Sequence, residues 1–215
     1  MKQFLISLSG VFEAEGFLPQ GASIFNFREL EGTCCYCSEE ALKALSEAIP
    51  TAEGLCWCDT GDYHYLSLLR ARKLDGPFEL ILLDNHSDDF DVCGLLSCGN
   101  WVTELKKECS CTCTLIRNFS DYKEKPGGLP VFLSLDLDVL REEDFITNWD
   151  QGVMSLGELE AILRSLFSTR KVLGADVCGG ITVSKGANEN SLESNRLTRE
   201  YLSHLFETLT KQSGH

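Results

Sequence analysis

Short apolar runs and helical patterns alternate along almost the whole chain, and this alternation restricts the fold more than any other feature. Most of the apolar runs are hydrophobic on both faces, as expected of central strands in a parallel sheet. The predicted strands are FLISL (4–8), GLCWC (54–58), FELILL (78–83), CTCTLI (111–116), VFLSLDL (131–137) and KVLGADV (171–177). The predicted helices cover residues 38–48, 62–73, 99–108, 155–167 and 194–211. This alternation predicts an α/β fold, a three-layer α/β/α arrangement with a mainly parallel central sheet.

The alternating pattern continues without a domain boundary. No linker rich in Pro, Gly or Ser and no internal repeat interrupts it. The turn-rich segment 123–130 is short and leads directly into a predicted strand, which indicates a connector. A length of 215 residues also suits one hydrophobic core. We therefore expect residues 1–215 to form a single α/β domain.

The charge of the chain argues against a nucleic-acid partner. Asp and Glu outnumber Lys and Arg by 33 to 19, for a formal net charge of −14, whereas binding phosphates requires clustered basic residues. No apolar run approaches the ~20 residues of a membrane span. The opening MKQFLISLS indicates a strand rather than a signal peptide, because serines break the apolar run and two glutamates follow it. We expect a cytoplasmic protein with no nucleic-acid or membrane partner.

The chain contains eleven cysteines, which raises the question of disulfides or zinc. The number is odd, and a chain of this size does not need disulfides for stability, so a disulfide framework is not favoured. A zinc site needs two suitably spaced pairs, and CCYC (34–37) and CSCTC (109–113) do not supply them. We expect reduced thiols, most of them packed as small hydrophobic side chains.

Side chains that commonly bind metal ions follow three of the predicted strands. In a parallel sheet, binding sites lie beyond the carboxyl ends of the strands. These residues are His64 after 54–58, Asp84, His86 and Asp88 after 78–83, and Asp136 and Asp138 at the end of 131–137. Each alone has an ordinary explanation, such as a helix start, a helix cap or a turn. Together they predict one common site.

Electrostatics favours a site with two cations. An unpaired carboxylate is costly to bury, and four carboxylates brought together would repel one another and take up protons. Two divalent ions would balance the four negative charges, and two neutral imidazoles would complete the ligand shells. Oxygen ligands combined with imidazole suit manganese, or iron or zinc.

Three short motifs resemble the metal-binding motifs of the arginase/agmatinase (ureohydrolase) superfamily. They are GDYH (61–64), DNHSD (84–88) and SLDLD (134–138), in the order of that superfamily and each at a predicted strand end. The resemblance extends from about residue 54 to residue 177. SCGNW (97–101) and TNWDQG (147–152) look like a smaller branch of the superfamily rather than arginase itself. The resemblance implies an arginase-like fold.

The resemblance also implies a role for each ligand and a reaction. His64 and Asp88 would complete the shell of one metal ion, and His86 and Asp138 that of the other. The bridging ligands would be Asp84 and Asp136, and Asp88 would also orient the attacking hydroxide. The implied enzyme is a hydrolase of a linear C–N bond in a guanidino or amidino compound, which attacks with a hydroxide bridging two metal ions, most simply two Mn²⁺.

The sequence departs from arginase at two places. Trp101 stands where arginase has a proton-shuttling histidine, and we expect it to form part of the pocket wall. DVCGG (176–180) lacks the glutamate that binds guanidinium in arginase. The residues that could replace it are Asp150, Asp176, Glu189 and Glu193, of which Asp150 is favoured because it lies in TNWDQG. Free arginine should therefore be a poor substrate.

Two other functions fit the same motifs. Amide deacetylases share the broader fold, although they normally use one zinc ion and would not need six ligands. A non-catalytic, metal-dependent binding or regulatory protein would explain the missing histidine and glutamate. The expected partner in the leading hypothesis is a small-molecule substrate, and the resemblance further implies a homo-oligomer.

Overall fold

A parallel sheet of seven strands forms the centre of the computed structural model, which describes residues 2–91 and 94–212. The strands of the described residues are β1 (Gln3–Ser7), β2 (Ser23–Asn26), β3 (Tyr36–Cys37), β4 (Gly54–Trp57), β5 (Phe78–Leu83), β6 (Leu96–Ser97), β7 (Cys111–Ile116), β8 (Val131–Asp136) and β9 (Val172–Cys178). The order in the sheet is β2-β1-β4-β9-β8-β5-β7, and every neighbouring pair is parallel. The short strands β3 and β6 pair separately and are antiparallel.

Helices cover both faces of the sheet. They are α1 (Val11–Glu15), α2 (Glu39–Ala48), α3 (Leu66–Ala71), α4 (Trp101–Glu108), α5 (Leu156–Thr169) and α6 (Glu189–Gln212). One buried hydrophobic cluster joins α1, α5 and α6 to the sheet, and a second joins α2, α3 and α4 to its opposite face. The predicted three-layer α/β/α fold with a mainly parallel sheet is confirmed.

The two clusters explain why the strands are apolar on both faces. Successive side chains of a strand point to opposite faces of the sheet. On β8, Leu133 and Leu135 therefore enter the cluster with α5, while Phe132 enters the cluster with α2 and α3. All three side chains are fully buried. Burial of each such side chain stabilises the folded state by roughly 1.5–3 kcal/mol. Packing on both faces therefore stabilises the central strands.

The structure adds elements that the hydrophobic pattern did not predict. Strand β2 is at the edge of the sheet and alternates between half-buried and exposed residues. Helix α6 begins at Glu189, five residues before the predicted start at residue 194. The predicted helix 62–73 is divided into a 3-10 turn at Gly61–Tyr63 and helix α3. Among residues 2–91 and 94–212, no helix is both long and apolar enough to cross a membrane.

Candidate metal centre

Three strands of the central sheet bring the six candidate ligands to one edge. His64 follows the 3-10 turn after β4, Asp84 directly follows β5, and Asp136 is the last residue of β8. Because β4, β5 and β8 are parallel and separated only by β9, their carboxyl ends lie side by side. The loops that leave these ends carry the remaining three side chains, His86, Asp88 and Asp138.

The first group of candidate ligands surrounds the imidazole of His64. Its Nδ1 atom lies 2.9 Å from Asp88 Oδ2 and 3.3 Å from Asp84 Oδ2. Asp136 Oδ2 is 3.5 Å from the same nitrogen. The ligand atoms of His64, Asp84 and Asp88 all lie within 4.8 Å of one another, close enough to hold one metal ion.

The second group surrounds His86 and shares Asp84 with the first. His86 Nδ1 lies 2.8 Å from Asp138 Oδ2 and 3.6 Å from Asp84 Oδ1. Asp84, His86 and Asp138 again have ligand atoms within 4.8 Å of one another. Asp136 lies between the groups, since its Oδ1 accepts a hydrogen bond from the backbone N–H of Asp138 at 3.0 Å. The fold thus brings together all six residues that the motifs indicated.

Hydrogen bonds orient His64 as a ligand. Ser134 donates its hydroxyl to Ser67 at 3.1 Å, so it accepts a hydrogen bond from His64 Nε2, which is 2.8 Å away. The proton of the neutral imidazole is thereby placed on Nε2. The lone pair on Nδ1 then points toward the carboxylates of the first group, which is the tautomer that a cation between them requires.

The carboxylates of the site also fit a cation. Asp84 Oδ2 is buried, and no described residue donates a hydrogen bond to it. Burial and the nearby charge of Asp84 raise the pKa of Asp136 to about 6. Burial and the charge of Asp136 raise the pKa of Asp138 to about 8. Repulsion and desolvation of this kind are relieved when divalent cations balance the charge.

Trp101 occupies a different place from the one predicted. Its side chain is fully buried at the start of α4 and does not line the cavity above the candidate ligands. Its Nε1 instead donates a hydrogen bond to Asp88 Oδ2 at 2.7 Å, and its ring packs 4.9 Å from that of His64, between centroids. Trp101 therefore fixes two candidate ligands from behind.

The residues proposed to replace the glutamate of arginase also lie away from the cavity. Asp150 is exposed, and its backbone oxygen accepts a hydrogen bond from the side chain of Asn85. Asp176 is buried in an ion pair with Arg70. Glu193 pairs with Arg196 on the surface of α6, and Glu189 is exposed at the start of that helix. None of the four lines the cavity.

A cavity of about 340 Å³ opens above the candidate ligands. Its floor consists of His64, Asp84, His86, Asp88, Asp136 and Asp138. Its walls consist of Cys35, Tyr36, Gly61, Phe90, Ser97, Cys98, Gly99 and Trp149. The sequence interpretation missed the three aromatic side chains, although Trp149 lies in TNWDQG directly beside Asp150. The side chain of Trp149, and not that of Asp150, reaches the cavity.

Backbone strain is concentrated around the site. In the described chain, three residues other than glycine have a left-handed conformation, namely Cys35 (φ 59°), Asp59 (φ 65°) and Asp88 (φ 49°). Each such residue costs roughly 1–3 kcal/mol and persists only where the surroundings hold it. Asp59 is held by the backbone N–H groups of Leu8 and Ser9, which donate to its carboxylate at 2.7 and 2.9 Å. Strain at a candidate ligand and a wall residue indicates a functional site.

The chain has an arginase-like fold, as the motifs predicted, and the solved structures that share it include agmatinases and arginases. It is similar to proclavaminate amidino hydrolase from Streptomyces clavuligerus, with a TM-score of 0.68, 15% identity, and coverage of 100% of this chain and 93% of that chain.

Further similarities support the same fold. The agmatine ureohydrolase of Thermoplasma volcanium has a TM-score of 0.61 at 9% identity, with 98% of this chain and 89% of that chain covered. The arginase from Bacillus caldovelox has a TM-score of 0.56 at 12% identity, with 95% of this chain and 98% of that chain covered. In sequence, an uncharacterised protein of Thermotoga maritima is 27% identical over 191 residues, or 81% of this chain and 78% of its own length. No family model matches the chain.

Proposed function

We propose that this protein is a metal-dependent hydrolase that cleaves a linear C–N bond in a guanidino or amidino compound. The observation that carries this proposal is a pair of ligand groups that share Asp84 on the floor of an open cavity. The fold supports it as well, because proteins named agmatine ureohydrolase and proclavaminate amidino hydrolase have the same architecture. The four carboxylates on the cavity floor suit divalent metal cations.

Two divalent cations, most simply Mn²⁺, are the proposed cofactors. His64 and Asp88 would hold one ion, and His86 and Asp138 the other. The Nδ1 atoms of both histidines lie near Asp84, at 3.3 and 3.6 Å from its carboxylate oxygens. Asp136 would serve both ions together with Asp84, as its distance to His64 and its hydrogen bond to the backbone of Asp138 support. The four negative charges of these carboxylates would then balance the four positive charges of two divalent ions.

When bound, such ions would lower the pKa of a coordinated water and so supply a nucleophile near neutral pH. Asp88 is the residue of this chain that we propose to orient that water. Its Oδ2 accepts a hydrogen bond from Trp101, and the residue lines the cavity. Asp88 can therefore accept the proton of the attacking water and pass it to the departing nitrogen, while a C–O bond forms and the C–N bond breaks.

Metal-loaded enzyme assays test the proposal. We expect protein stripped of metal and reloaded with Mn²⁺ to release urea or ammonia from a panel of guanidines and amidines. Asp136→Asn should lower kcat/KM by more than about 100-fold, since even groups that only support ligands cost ~10–100-fold. Asp75→Asn removes an exposed carboxylate remote from the site and should leave turnover unchanged. Absence of turnover in fully loaded protein would instead indicate a metal-dependent binding protein.

We also propose that the protein acts in the cytoplasm and forms a homo-oligomer. The ten described cysteines are all free, and five of them are buried, which supports a reducing compartment. Thiol titration of denatured protein under anaerobic conditions should find at least about nine free thiols of the eleven in the chain. Light scattering at micromolar concentration tests the oligomer, and a monomeric mass would exclude it.

A further inference from the structure

Three aromatic side chains surround the mouth of the cavity. Tyr36, Phe90 and Trp149 all line it, although their side chains are 57%, 65% and 38% exposed. Large apolar side chains are costly to leave in water, and these three come from separate segments of the chain. Their clustering above a strongly polar floor indicates walls that contact a ligand.

The backbone holds these aromatic residues in place. Tyr36 belongs to β3, whose pairing with β6 places it opposite Ser97. Gly99 allows Phe90 to approach, because a Cβ at this glycine would lie 3.2 Å from the Phe90 ring. Gly61 does the same for Trp149, since a Cβ there would lie 2.9 Å from Trp149 Cδ1. The walls are thus built into the fold.

A buried carboxylate fixes Trp149 from behind. Trp149 Nε1 donates a hydrogen bond to Asp62 Oδ1 at 3.1 Å. Asn148 donates to both oxygens of the same carboxylate, at 3.1 and 3.2 Å. Asp62 is nearly fully buried and is not part of the cavity wall. It therefore orients the indole without presenting a charge to a ligand.

The walls of the cavity carry no charged side chain. The described residues that line it above the floor are aromatic, cysteine, serine or glycine, without a single Lys, Arg, Asp or Glu among them. The four negative charges of the floor would be balanced by two divalent cations. An ammonium or carboxylate on a ligand would lose water of hydration in this cavity and find no partner of opposite charge, which is unfavourable.

We propose that the substrate carries an uncharged, apolar tail beyond its guanidino or amidino carbon, either aliphatic or aromatic. This inference rests on the proposed function and assigns specificity to Tyr36, Phe90 and Trp149. Aromatic faces can stack on a flat group or pack against methylene groups. Compounds whose tails end in an amine, a carboxylate or both, such as arginine, would be poor substrates.

Three matched guanidines test the inference. Butylguanidine, 3-aminopropylguanidine and 4-guanidinobutyrate share a chain of three methylene groups and end in methyl, ammonium and carboxylate, respectively. With Mn²⁺-loaded protein near pH 7.5, we expect kcat/KM for butylguanidine to exceed that for both others by at least about 10-fold. Equal or faster turnover of either charged compound would overturn the inference.

Calorimetric binding of the same compounds separates this inference from the proposed function. If none of them is hydrolysed, the proposed function fails for these substrates, but their affinities still rank the tails. Tighter binding of butylguanidine would then support an apolar specificity site. Equal or tighter binding of a charged compound, or no binding of any, would overturn it.

A charge placed in the wall should change the preference. Tyr36 is exposed at the rim, so Tyr36→Glu is compatible with folding and supplies a counter-charge for an ammonium. We expect this variant to raise kcat/KM for 3-aminopropylguanidine, relative to kcat/KM for butylguanidine, by at least about fivefold. Val183→Glu adds the same charge at a side chain 64% exposed and outside the cavity, and should not shift the ratio. An unchanged ratio in Tyr36→Glu would contradict the assignment of Tyr36.

Discussion

Asp136 and Asp138 are two residues apart and hold different positions in the site. Asp136 approaches His64 in one group and is bonded to the backbone of Asp138, whereas Asp138 contacts His86 in the other group. A ligand placed between two ions should matter to both, and a ligand at the edge to one. The two carboxylates should therefore contribute unequally to metal binding, because Asp136 ends the strand between the two ligand groups and Asp138 lies beyond it.

We expect Asp136→Asn to lose both metal ions and Asp138→Asn to retain one. The measurement is the metal-to-protein ratio after dialysis, by plasma emission spectroscopy. Asp75→Asn controls for the loss of an exposed negative charge. Loss of a single ion in both variants would exclude the proposed bridging role of Asp136.

Trp101 and Trp57 form a matched pair for testing support of the site. Both side chains are fully buried, and each donates one indole hydrogen bond, to Asp88 at 2.7 Å and to Gln3 at 3.0 Å, respectively. Trp101→Phe should weaken Mn²⁺ binding by roughly 10–100-fold, because groups that orient ligands have effects of that size. Trp57→Phe should lose comparable stability and keep its metal affinity. Equal affinities in the two variants would show that the bond to Asp88 is only structural.

At the scale of elements, one ion pair joins β5 to the end of α5. Glu79 on β5 accepts a hydrogen bond from Arg170, the residue after α5, at 2.7 Å. Partial burial raises the pKa of Glu79, but hydrogen bonds from Arg170 and Thr114 outweigh it, so the pKa lies below its ordinary value. The pair therefore stabilises the fold above the unfolded-state pKa, and this contribution is lost as pH falls through the lower, folded-state pKa.

We expect Glu79→Gln to lower the free energy of unfolding at pH 7 by about 1 kcal/mol. The difference from the unsubstituted protein should shrink as the pH is lowered below about 4.5, where the free carboxyl takes up its proton. Urea denaturation at several pH values measures both effects. Glu193→Gln, at an exposed ion pair on α6, should be without measurable effect. A pH-independent loss in Glu79→Gln would point to packing rather than charge.

The hydrophobic pattern of the sequence predicted the strands that are buried on both faces, and it missed the edge strand β2 and the short strands β3 and β6. Strands such as β5 and β8 are buried on both faces, so their hydrophobic runs identify them. β2 pairs on one side only, and β3 and β6 have two residues each, too few for a periodic pattern. The spacing in DNHSD indicated the candidate ligands. Whether an indole lines a cavity or supports it depends on tertiary packing, which placed Trp101 behind the site and Trp149 in the wall.

At the scale of the whole molecule, metal binding and folding should be linked. The candidate ligands come from residues 64 to 138 and meet only in the folded sheet. At a free Mn²⁺ concentration 100 times its Kd, preferential binding of one ion to the folded state contributes about 2.7 kcal/mol. For a chain of this size that corresponds to a rise in Tm of roughly 5–10 °C.

Calorimetric scans of the metal-stripped protein with increasing Mn²⁺ measure this rise. Asp84→Asn, which lacks a carboxylate of both ligand groups, should show little or none of it. An equal rise in the variant would mean that Mn²⁺ stabilises the protein from elsewhere. Chelation of the loaded protein should reverse the gain.

The position of β9 has a consequence for the order of events during synthesis. This strand is the last of the sheet to leave the ribosome, yet it lies between β4 and β8. His64 lies in the loop after β4, and Asp136 is the last residue of β8. These two residues cannot take their final separation until β9 has been inserted between the two strands. The nascent chain can therefore expose its acidic segments for most of translation without a finished binding site. Metal uptake would then be a late step, and its onset would indicate that β9 has been inserted between β4 and β8.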